Sequence, residues 1–129
     1  MADSVFTKII KGEIPSHKIY EDDKTYAFLD IHPAKPAHTL VVTKKQIDKF
    51  TDLPDEDYMA LFAAVKKISQ RLLKVMGTDR VRLSIVGTDV PHVHVHLIPF
   101  NENDKKVEQD QSKEPDHDTL AEMAAKLAF

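Results

Sequence analysis

Apolar and polar residues alternate along this chain with two different periods, which together predict an α+β fold. A long helix is predicted between Pro54 and Gly77, because apolar residues recur every three to four positions and three acidic residues follow Pro54. Its buried face is expected to comprise Tyr58, Leu61, Phe62, Val65, Ile68, Leu72 and Met76. Since only this long helix separates predicted strands, parallel crossovers are scarce. We expect an antiparallel sheet of about five strands with helices packed on one side.

Caps, turns and β-branched runs predict the shorter elements. Asp3 or Ser4 is expected to cap a short helix that ends near Gly12, and a second short helix is predicted at 118–128. The predicted strands are, in chain order, Lys18–Glu21, Thr25–Asp30, Thr39–Thr43, Val81–Val86 and His92–Ile98. A chain of 129 residues with this organisation is expected to form a single domain, residues 1–129.

Composition excludes several classes of protein. Hydrophobic residues make up 42% and charged residues 30%, a globular mixture rather than a disordered one. No apolar run approaches the roughly 18–20 residues of a membrane span, and the N-terminus has no signal-peptide pattern, so we expect a cytoplasmic protein. The absence of cysteine excludes disulfides, zinc–thiolate sites, iron–sulfur clusters and cysteine nucleophiles.

The net charge of −3 comes from one segment of the chain. Residues 101–118 carry 3 basic and 7 acidic side chains, and we expect this acidic polar tract to be a solvated loop. The remaining body is nearly neutral, which suits a small anionic ligand. A chain with this balance lacks the basic surface that binding nucleic acid by its phosphates requires.

Three of the seven histidines fall within five residues, in the alternating run His92–Ile98. On a strand, His92, His94 and His96 share one face, while the apolar residues between them pack beneath the long helix. We therefore expect the histidine face to be displayed opposite the core, where chemistry can occur. Background use of histidine is low, so three in strict alternation favour a functional site over ordinary surface histidines.

Two kinds of chemistry fit this histidine face. Same-face neighbours on a strand lie about 6.5–7 Å apart, so two of them can bind one metal ion, with His38 as the natural third ligand. Alternatively, a neutral imidazole is a nucleophile that attacks phosphorus and forms an N–P bond that water then cleaves. His94 suits this role because both neighbouring histidines can contact the transferring group. We favour the nucleophile and predict no metal or other cofactor.

The sequence resembles the histidine triad superfamily, whose signature of three alternating histidines followed by apolar residues matches all seven positions of His92–Ile98. The resemblance to its Hint branch covers residues 5 to 100 in consecutive blocks. These blocks are Phe6–Pro15, Ile19–Asp23, Ala27–Pro33 and Ala37–Val42.

The resemblance implies a homodimer in which the sheets of two subunits join. It also implies hydrolysis of nucleoside 5′-monophosphate conjugates at the α-phosphate, with purine nucleotides such as AMP or GMP conjugates as substrates. His94 corresponds to the nucleophile, with His96 at the phosphate and leaving group and His92 orienting the nucleophile. His38 corresponds to an upstream histidine that supports this network.

The resemblance also implies a nucleotide pocket. Asp30 corresponds to the carboxylate that accepts hydrogen bonds from the ribose hydroxyls, chemistry that its two acceptor oxygens suit. The apolar wall of the pocket is expected to comprise Phe6, Ile9, Ile14, Phe28, Ile31 and Leu40.

Two features depart from the family pattern. Asp89 stands where a serine or threonine usually contacts the phosphate, and a carboxylate repels phosphate unless it points away or is paired. Thr88 is the candidate to supply the hydroxyl instead. The cysteines of the zinc-binding members are also absent. Two alternatives to a phosphoramidate hydrolase stay open. One is a dinucleoside polyphosphate hydrolase, as in the Fhit branch, and the other is a nucleotide-binding dimer in which Asp89 leaves little turnover.

Overall fold

The computed structural model describes residues 2–104, 109 and 111–129. Within them, three helices and five strands follow one another in a single order. The elements are α1 (Val5–Ile10), β1 (Lys18–Glu21), β2 (Thr25–Leu29), β3 (Thr39–Thr43), α2 (Asp55–Met76), β4 (Arg80–Ser84), β5 (His94–Phe100) and α3 (His117–Leu127), with a short 3-10 turn at Phe50–Asp52 before α2.

The helix ends follow the predicted capping chemistry. The Ser4 side chain accepts a hydrogen bond from the Thr7 backbone N–H at the start of α1. Three acidic residues occupy the first turn of α2, and Gly77 ends that helix in the left-handed conformation, with φ of 66°. The third helix is capped by Asp116. Across the described residues, no helix combines the length and apolar character needed to cross a membrane.

The five strands form one antiparallel sheet in the order β1-β2-β3-β5-β4. The predicted α+β class and strand number are confirmed. Because α2 carries the chain from β3 across to β4 at the edge, β5 returns into the gap between them. In the resulting register, Leu40 lies opposite His96 and Val42 opposite His94. This pairing places His38, the residue just before β3, beside His96.

The two faces of the sheet carry separate apolar clusters. Ala27 and Leu29 of β2 pack with α2 and α3, whereas Tyr26 and Phe28, which alternate with them, pack with α1 on the other face. The prediction that all helices lie on one side was therefore wrong for α1. Its Phe6 and Ile9 form an apolar face that packs on Tyr26 and Phe28, so α1 covers the face of the sheet opposite to α2 and α3.

Strand β5 begins and ends two residues later than predicted. His92 lies outside it, because its backbone N–H bonds to the carbonyl oxygen of Val90 in a turn. Pro99, predicted to end the strand, instead pairs with Val81 of β4. Pairing with β3 stops at Leu97, so the strand is open on one side at Pro99, where a missing N–H interrupts no ladder.

The other elements match their predicted positions to within two residues. Strand β2 is one residue shorter than predicted. Strand β4 spans Arg80–Ser84, where Val81–Val86 was predicted, and α3 begins at His117, one residue earlier than predicted. The described residues of the acidic tract before α3 form no helix or strand, and residues 105–108 and 110 of that tract lie outside the described part.

Candidate functional site

The triad lies beneath α1 rather than on an open surface. His92 is 0% and His94 1% exposed, so the expectation of a displayed histidine face was wrong for these two residues. The Phe6 ring covers them, with its centroid 4.9 Å from that of His94 and 5.7 Å from that of His92, both in edge contact. His96 is only partly buried. The alternation along β5 does place the triad opposite the main core, as predicted, but α1 covers that face.

The hydrogen bonds of His94 assign its free nitrogen. Its Nδ1 lies 2.7 Å from the backbone carbonyl oxygen of His92. A carbonyl oxygen only accepts, so Nδ1 carries the proton, and in the neutral ring Nε2 holds the lone pair. Within the described residues Nε2 is buried and makes no hydrogen bond, and a carboxylate oxygen of Asp89 lies 3.2 Å from it. The ring is held in one orientation and one neutral tautomer, with Nε2 as the nitrogen that carries the lone pair.

His92 is held at both of its ring nitrogens. Its Nε2 donates to the carbonyl oxygen of Thr43 at 2.6 Å, so Nδ1 is an acceptor and receives the hydroxyl proton of Ser4 at 2.7 Å. Burial lowers the pKa of His92, which keeps the ring neutral near pH 7. The same residue then presents its backbone carbonyl to His94. The orienting role of His92 stays a prediction.

Sequence reasoning missed the network that holds Ser4. The Ser4 backbone N–H and the Thr7 hydroxyl both donate to the Gln46 side-chain oxygen, each at 2.7 Å. The Gln46 amide in turn donates to the carbonyl oxygen of Ala2. The cap of α1 is thereby tied to the loop after β3 and to the triad. Ser4 carried a signal as a helix cap, whereas nothing in the local sequence pointed to Gln46.

His38 and His96 form a second fixed pair. The Ala34 backbone N–H donates to His38 Nδ1 at 3.0 Å, so the proton of the neutral His38 ring is on Nε2, which lies 2.9 Å from His96 Nδ1. His96 Nδ1 is therefore the acceptor, and its Nε2–H is left to donate.

Burial keeps both rings of this pair neutral. Burial lowers the pKa of His38 to about 4, against the opposing effect of the Asp30 carboxylate. Burial, together with the adjacent His94, also lowers the pKa of His96. The site therefore offers a lone pair on His94 Nε2 and a hydrogen-bond donor on His96 Nε2.

Asp30 lies next to His38 at the end of β2. One carboxylate oxygen accepts from the His32 backbone N–H at 2.8 Å, and the other accepts from the Gln109 side-chain amide at 2.9 Å. The second oxygen is also 3.6 Å from His38 Nε2. Gln109, from the acidic tract, was not predicted to reach this carboxylate. Its amide occupies one of the acceptor positions of the Asp30 carboxylate.

The side chains of Asp30, His38 and His96 are close enough to hold a metal ion. Their ligand atoms lie within 4.8 Å of one another. However, the His38 nitrogen that faces this cluster is the protonated one, because Nδ1 accepts from Ala34. The hydrogen bond from His38 to His96 therefore accounts for these nitrogens without an ion, and a metal would have to displace a proton.

The predicted apolar wall divides into buried and exposed residues. Phe6, Ile9, Phe28 and Leu40 are buried in the cluster on the α1 face, and Ile14 packs against that cluster. Ile31 is 40% exposed, and Thr88 is also exposed. The structure therefore gathers the triad, His38, Asp30 and most of the wall on one face of the sheet. Of the two candidates for the phosphate contact, Asp89 is the one that lies against His94.

Several known proteins are similar to this chain in sequence and in fold. The HIT domain family matches residues 11–103. A HIT-like protein of Methanocaldococcus jannaschii is 42% identical over 108 residues, which cover 80% of this chain and 83% of that protein. The adenosine 5′-monophosphoramidase HNT1 of Saccharomyces cerevisiae is 36% identical over 129 aligned positions, covering 95% of this chain and 79% of that protein. The crystal structure of a HIT-like protein from Bartonella henselae matches with a TM-score of 0.84 at 32% identity, covering 98% of this chain and 97% of that one.

Proposed function

Because the chain belongs to the HIT domain family, we propose that it hydrolyses nucleoside 5′-monophosphate conjugates, phosphoramidates in particular, at the α-phosphorus. The observation that carries the proposal is the buried Nε2 of His94, a lone-pair nitrogen that makes no hydrogen bond to any described residue, on a ring fixed by the His92 carbonyl. The adenosine 5′-monophosphoramidase HNT1 of yeast, which aligns with nearly the whole chain, supports this class of substrate.

The first step transfers the nucleotide to His94. Nε2 attacks phosphorus, the P–N bond to the leaving amine breaks, and its electron pair stays on the amine nitrogen, which takes up one proton from solvent. The ring becomes a cationic nucleotidyl-imidazolium that keeps its Nδ1–H on the His92 carbonyl oxygen. The Nε2–H of His96 donates a hydrogen bond to the phosphoryl oxygen or to the leaving group, as its tautomer allows.

The second step releases the nucleotide. Water attacks phosphorus, the N–P bond breaks, and its electron pair returns to Nε2, so His94 is again neutral. Water gives up one proton, which balances the proton taken up by the amine. A histidine serves both steps because imidazole is a good nucleophile and, as the imidazolium, a good leaving group.

The nucleoside half is proposed to bind beside the triad. The Asp30 carboxylate accepts hydrogen bonds from the ribose hydroxyls, which replace or share the contact that Gln109 makes with it. The base packs against the apolar wall, where Phe6 and Phe28 already contact one another, with ring centroids 5.7 Å apart.

Hydrolysis of adenosine 5′-phosphoramidate tests this proposal. We expect the wild-type chain to release AMP and His94→Ala to lose nearly all activity. Rapid quenching followed by intact-protein mass spectrometry should detect AMP bound to the wild-type protein. His117→Ala is the matched control, since His117 contacts His17 and lies outside the triad network. Equal rates for wild type and His94→Ala, or no AMP release by either, would contradict the proposal.

A nucleotide-binding protein with little turnover is the second candidate, and the Asp89 carboxylate beside the nucleophile favours it. A negative charge at this position opposes the approach of an anionic phosphate. This candidate predicts that calorimetry detects AMP binding while the rate of AMP release stays at the level of His94→Ala. Turnover well above that level would dismiss it.

We also propose that the protein forms a homodimer through the outer edge of the sheet. Strand β4 is an edge strand, and its Leu83 is 45% exposed although it pairs with the buried Leu97. Val86, just beyond the strand, is 63% exposed. An exposed edge strand with apolar side chains invites pairing with another chain.

A further inference from the structure

Asp89 lies directly beside the reactive nitrogen of His94. Oδ1 of Asp89 lies 3.2 Å from Nε2 of His94, the nitrogen that phosphorus must approach. The Asp89 side chain is 61% exposed while that of His94 is 1% exposed. The carboxylate therefore lies between the buried His94 nitrogen and solvent.

This carboxylate has no other strong partner in the described part of the chain. Its Oδ1 lies 3.2 Å from His94 Nε2, and its remaining contact there is a hydrogen bond from the adjacent Val90 backbone N–H at 3.1 Å. No lysine or arginine of the described residues forms an ion pair with it, so its charge is not neutralised locally. A substrate that reaches His94 meets this negative charge.

Asp89 must move aside when a phosphoryl group approaches, and its exposure gives it room to do so. The transferring group carries a negative charge, and in an in-line displacement the leaving group departs away from His94. A carboxylate that turns from the nucleophile toward solvent then lies beside the substrate, near the leaving group. There it attracts a positive charge and repels a negative one.

We propose that Asp89 selects conjugates by the charge of the leaving group, favouring amines that carry a second, cationic group and disfavouring anionic leaving groups. This inference rests on the proposed hydrolysis at His94. It assigns a distinct specificity role to Asp89, the residue by which this chain departs from the hydroxyl-bearing pattern. It also disfavours sulfate and polyphosphate as leaving groups.

Three AMP phosphoramidates of similar length test the inference. They are made from 1,4-diaminobutane, butylamine and 4-aminobutanoate, so the remote group is cationic, neutral or anionic while an alkylamine leaves in every case. In the wild type we expect kcat/KM for the cationic conjugate to exceed that for the anionic one by about tenfold, one attraction gained and one repulsion avoided at a partly exposed carboxylate. The ratio should shrink as salt is added, because the carboxylate is exposed.

The Asp89→Asn variant removes the charge and keeps the shape. We expect it to bring the three conjugates to within about twofold, mainly through faster hydrolysis of the anionic one, and to bind AMP several-fold more tightly. Asp89→Ser provides a second neutral side chain. Glu122→Gln on α3 is the matched control for net charge, because it removes one exposed carboxylate on the opposite side of the sheet.

The outcomes separate this inference from the proposed function. If wild type and Asp89→Asn hydrolyse all three conjugates with the same ratios, the selection by Asp89 is refuted and the hydrolase remains. An equal acceleration of all three in Asp89→Asn also refutes it, because Asp89 would then only obstruct the nucleophile. If the wild-type protein hydrolyses none of them or adenosine 5′-phosphoramidate, both the proposed function and this inference fail.

Discussion

Replacing Ser4 by alanine removes the hydrogen-bond donor to the buried His92 Nδ1. The hydroxyl donates to His92 Nδ1 at 2.7 Å and accepts from the Thr7 backbone N–H at 3.0 Å, so one substitution breaks a buried contact and a helix cap. Losing the cap costs about 1 kcal/mol. Leaving the buried Nδ1 without a donor costs about 1–3 kcal/mol more. We therefore expect the free energy of unfolding to fall by about 2–4 kcal/mol.

The same variant tests whether this network positions the nucleophile. A His92 ring freed at Nδ1 no longer holds its own backbone carbonyl firmly against His94, so we expect kcat to fall by about tenfold while KM changes little. Nitrogen chemical shifts of the histidine rings should show the loss of the hydrogen bond at His92 Nδ1, whereas Nε2 keeps its proton on the Thr43 carbonyl oxygen. Thr7 Oγ1 lies 3.4 Å from the same nitrogen and can replace the lost donor, so the double variant Ser4→Ala/Thr7→Val should show the larger effect.

Asp116→Ala is the control for Ser4→Ala. It removes the cap of α3, which bonds the Thr119 backbone N–H far from the triad, and should cost about 1 kcal/mol without changing kcat. Stability is measured by urea unfolding and activity by AMP release. If Ser4→Ala loses stability and changes the His92 Nδ1 shift but keeps the wild-type kcat, the network is structural only and the reasoning about the nucleophile is wrong.

Three further predictions concern pH, ribose binding and assembly. Burial lowers the pKa of His38 to about 4, below the ordinary value near 6.5 that the unfolded chain regains, so the unfolded state binds the proton more readily. Stability from this residue is therefore complete above about pH 6.5 and falls by about 3 kcal/mol as the pH drops to about 4; urea unfolding of wild type and His38→Asn should show a shallower pH dependence in the variant. Asp30→Asn should raise KM for adenosine 5′-phosphoramidate by about tenfold with little change in kcat, because a charged acceptor for the ribose hydroxyls is lost. The effect should nearly vanish with the 2′,3′-dideoxy substrate, and an equal rise in KM for both substrates would remove Asp30 from the ribose site. Leu83→Arg should shift the protein from dimer to monomer in sedimentation equilibrium, because it places a charge on the exposed edge of β4; an unchanged assembly state would contradict the proposed interface.

The regular elements were predictable because their signals are local. The three-to-four periodicity between Pro54 and Gly77 and the alternation in His92–Ile98 each depend only on near neighbours in the sequence. Chemistry followed from the same short segment, since three histidines on one strand face narrow the choice to metal binding or nucleophilic catalysis. The boundaries of β5 were less accurate, because whether Pro99 ends a strand depends on which side of it another strand pairs.

The tautomers of His92 and His96 are set by partners far away in the chain. Thr43 lies 49 positions from His92, and His38 lies 58 positions from His96, yet these contacts assign which nitrogen of the His92 and His96 rings carries the proton. A sequence pattern cannot supply such pairings, because they depend on how the sheet order brings β3 beside β5. The covering of the triad by α1 and the contact of Gln109 with Asp30 also join segments that are distant in the sequence, so no local pattern predicts them.

The sequence by itself thus determined the fold class, the long helix and the residue types of the site, because hydrophobic periodicity and side-chain chemistry are properties of short segments. Only the tertiary structure decided that the triad is buried, that His94 presents Nε2 as its free nitrogen, and that Asp89 stands in front of it. The physical reason is that burial and hydrogen-bond partners arise where distant segments meet. An imidazole becomes a specific nucleophile only when those partners fix its tautomer and orientation.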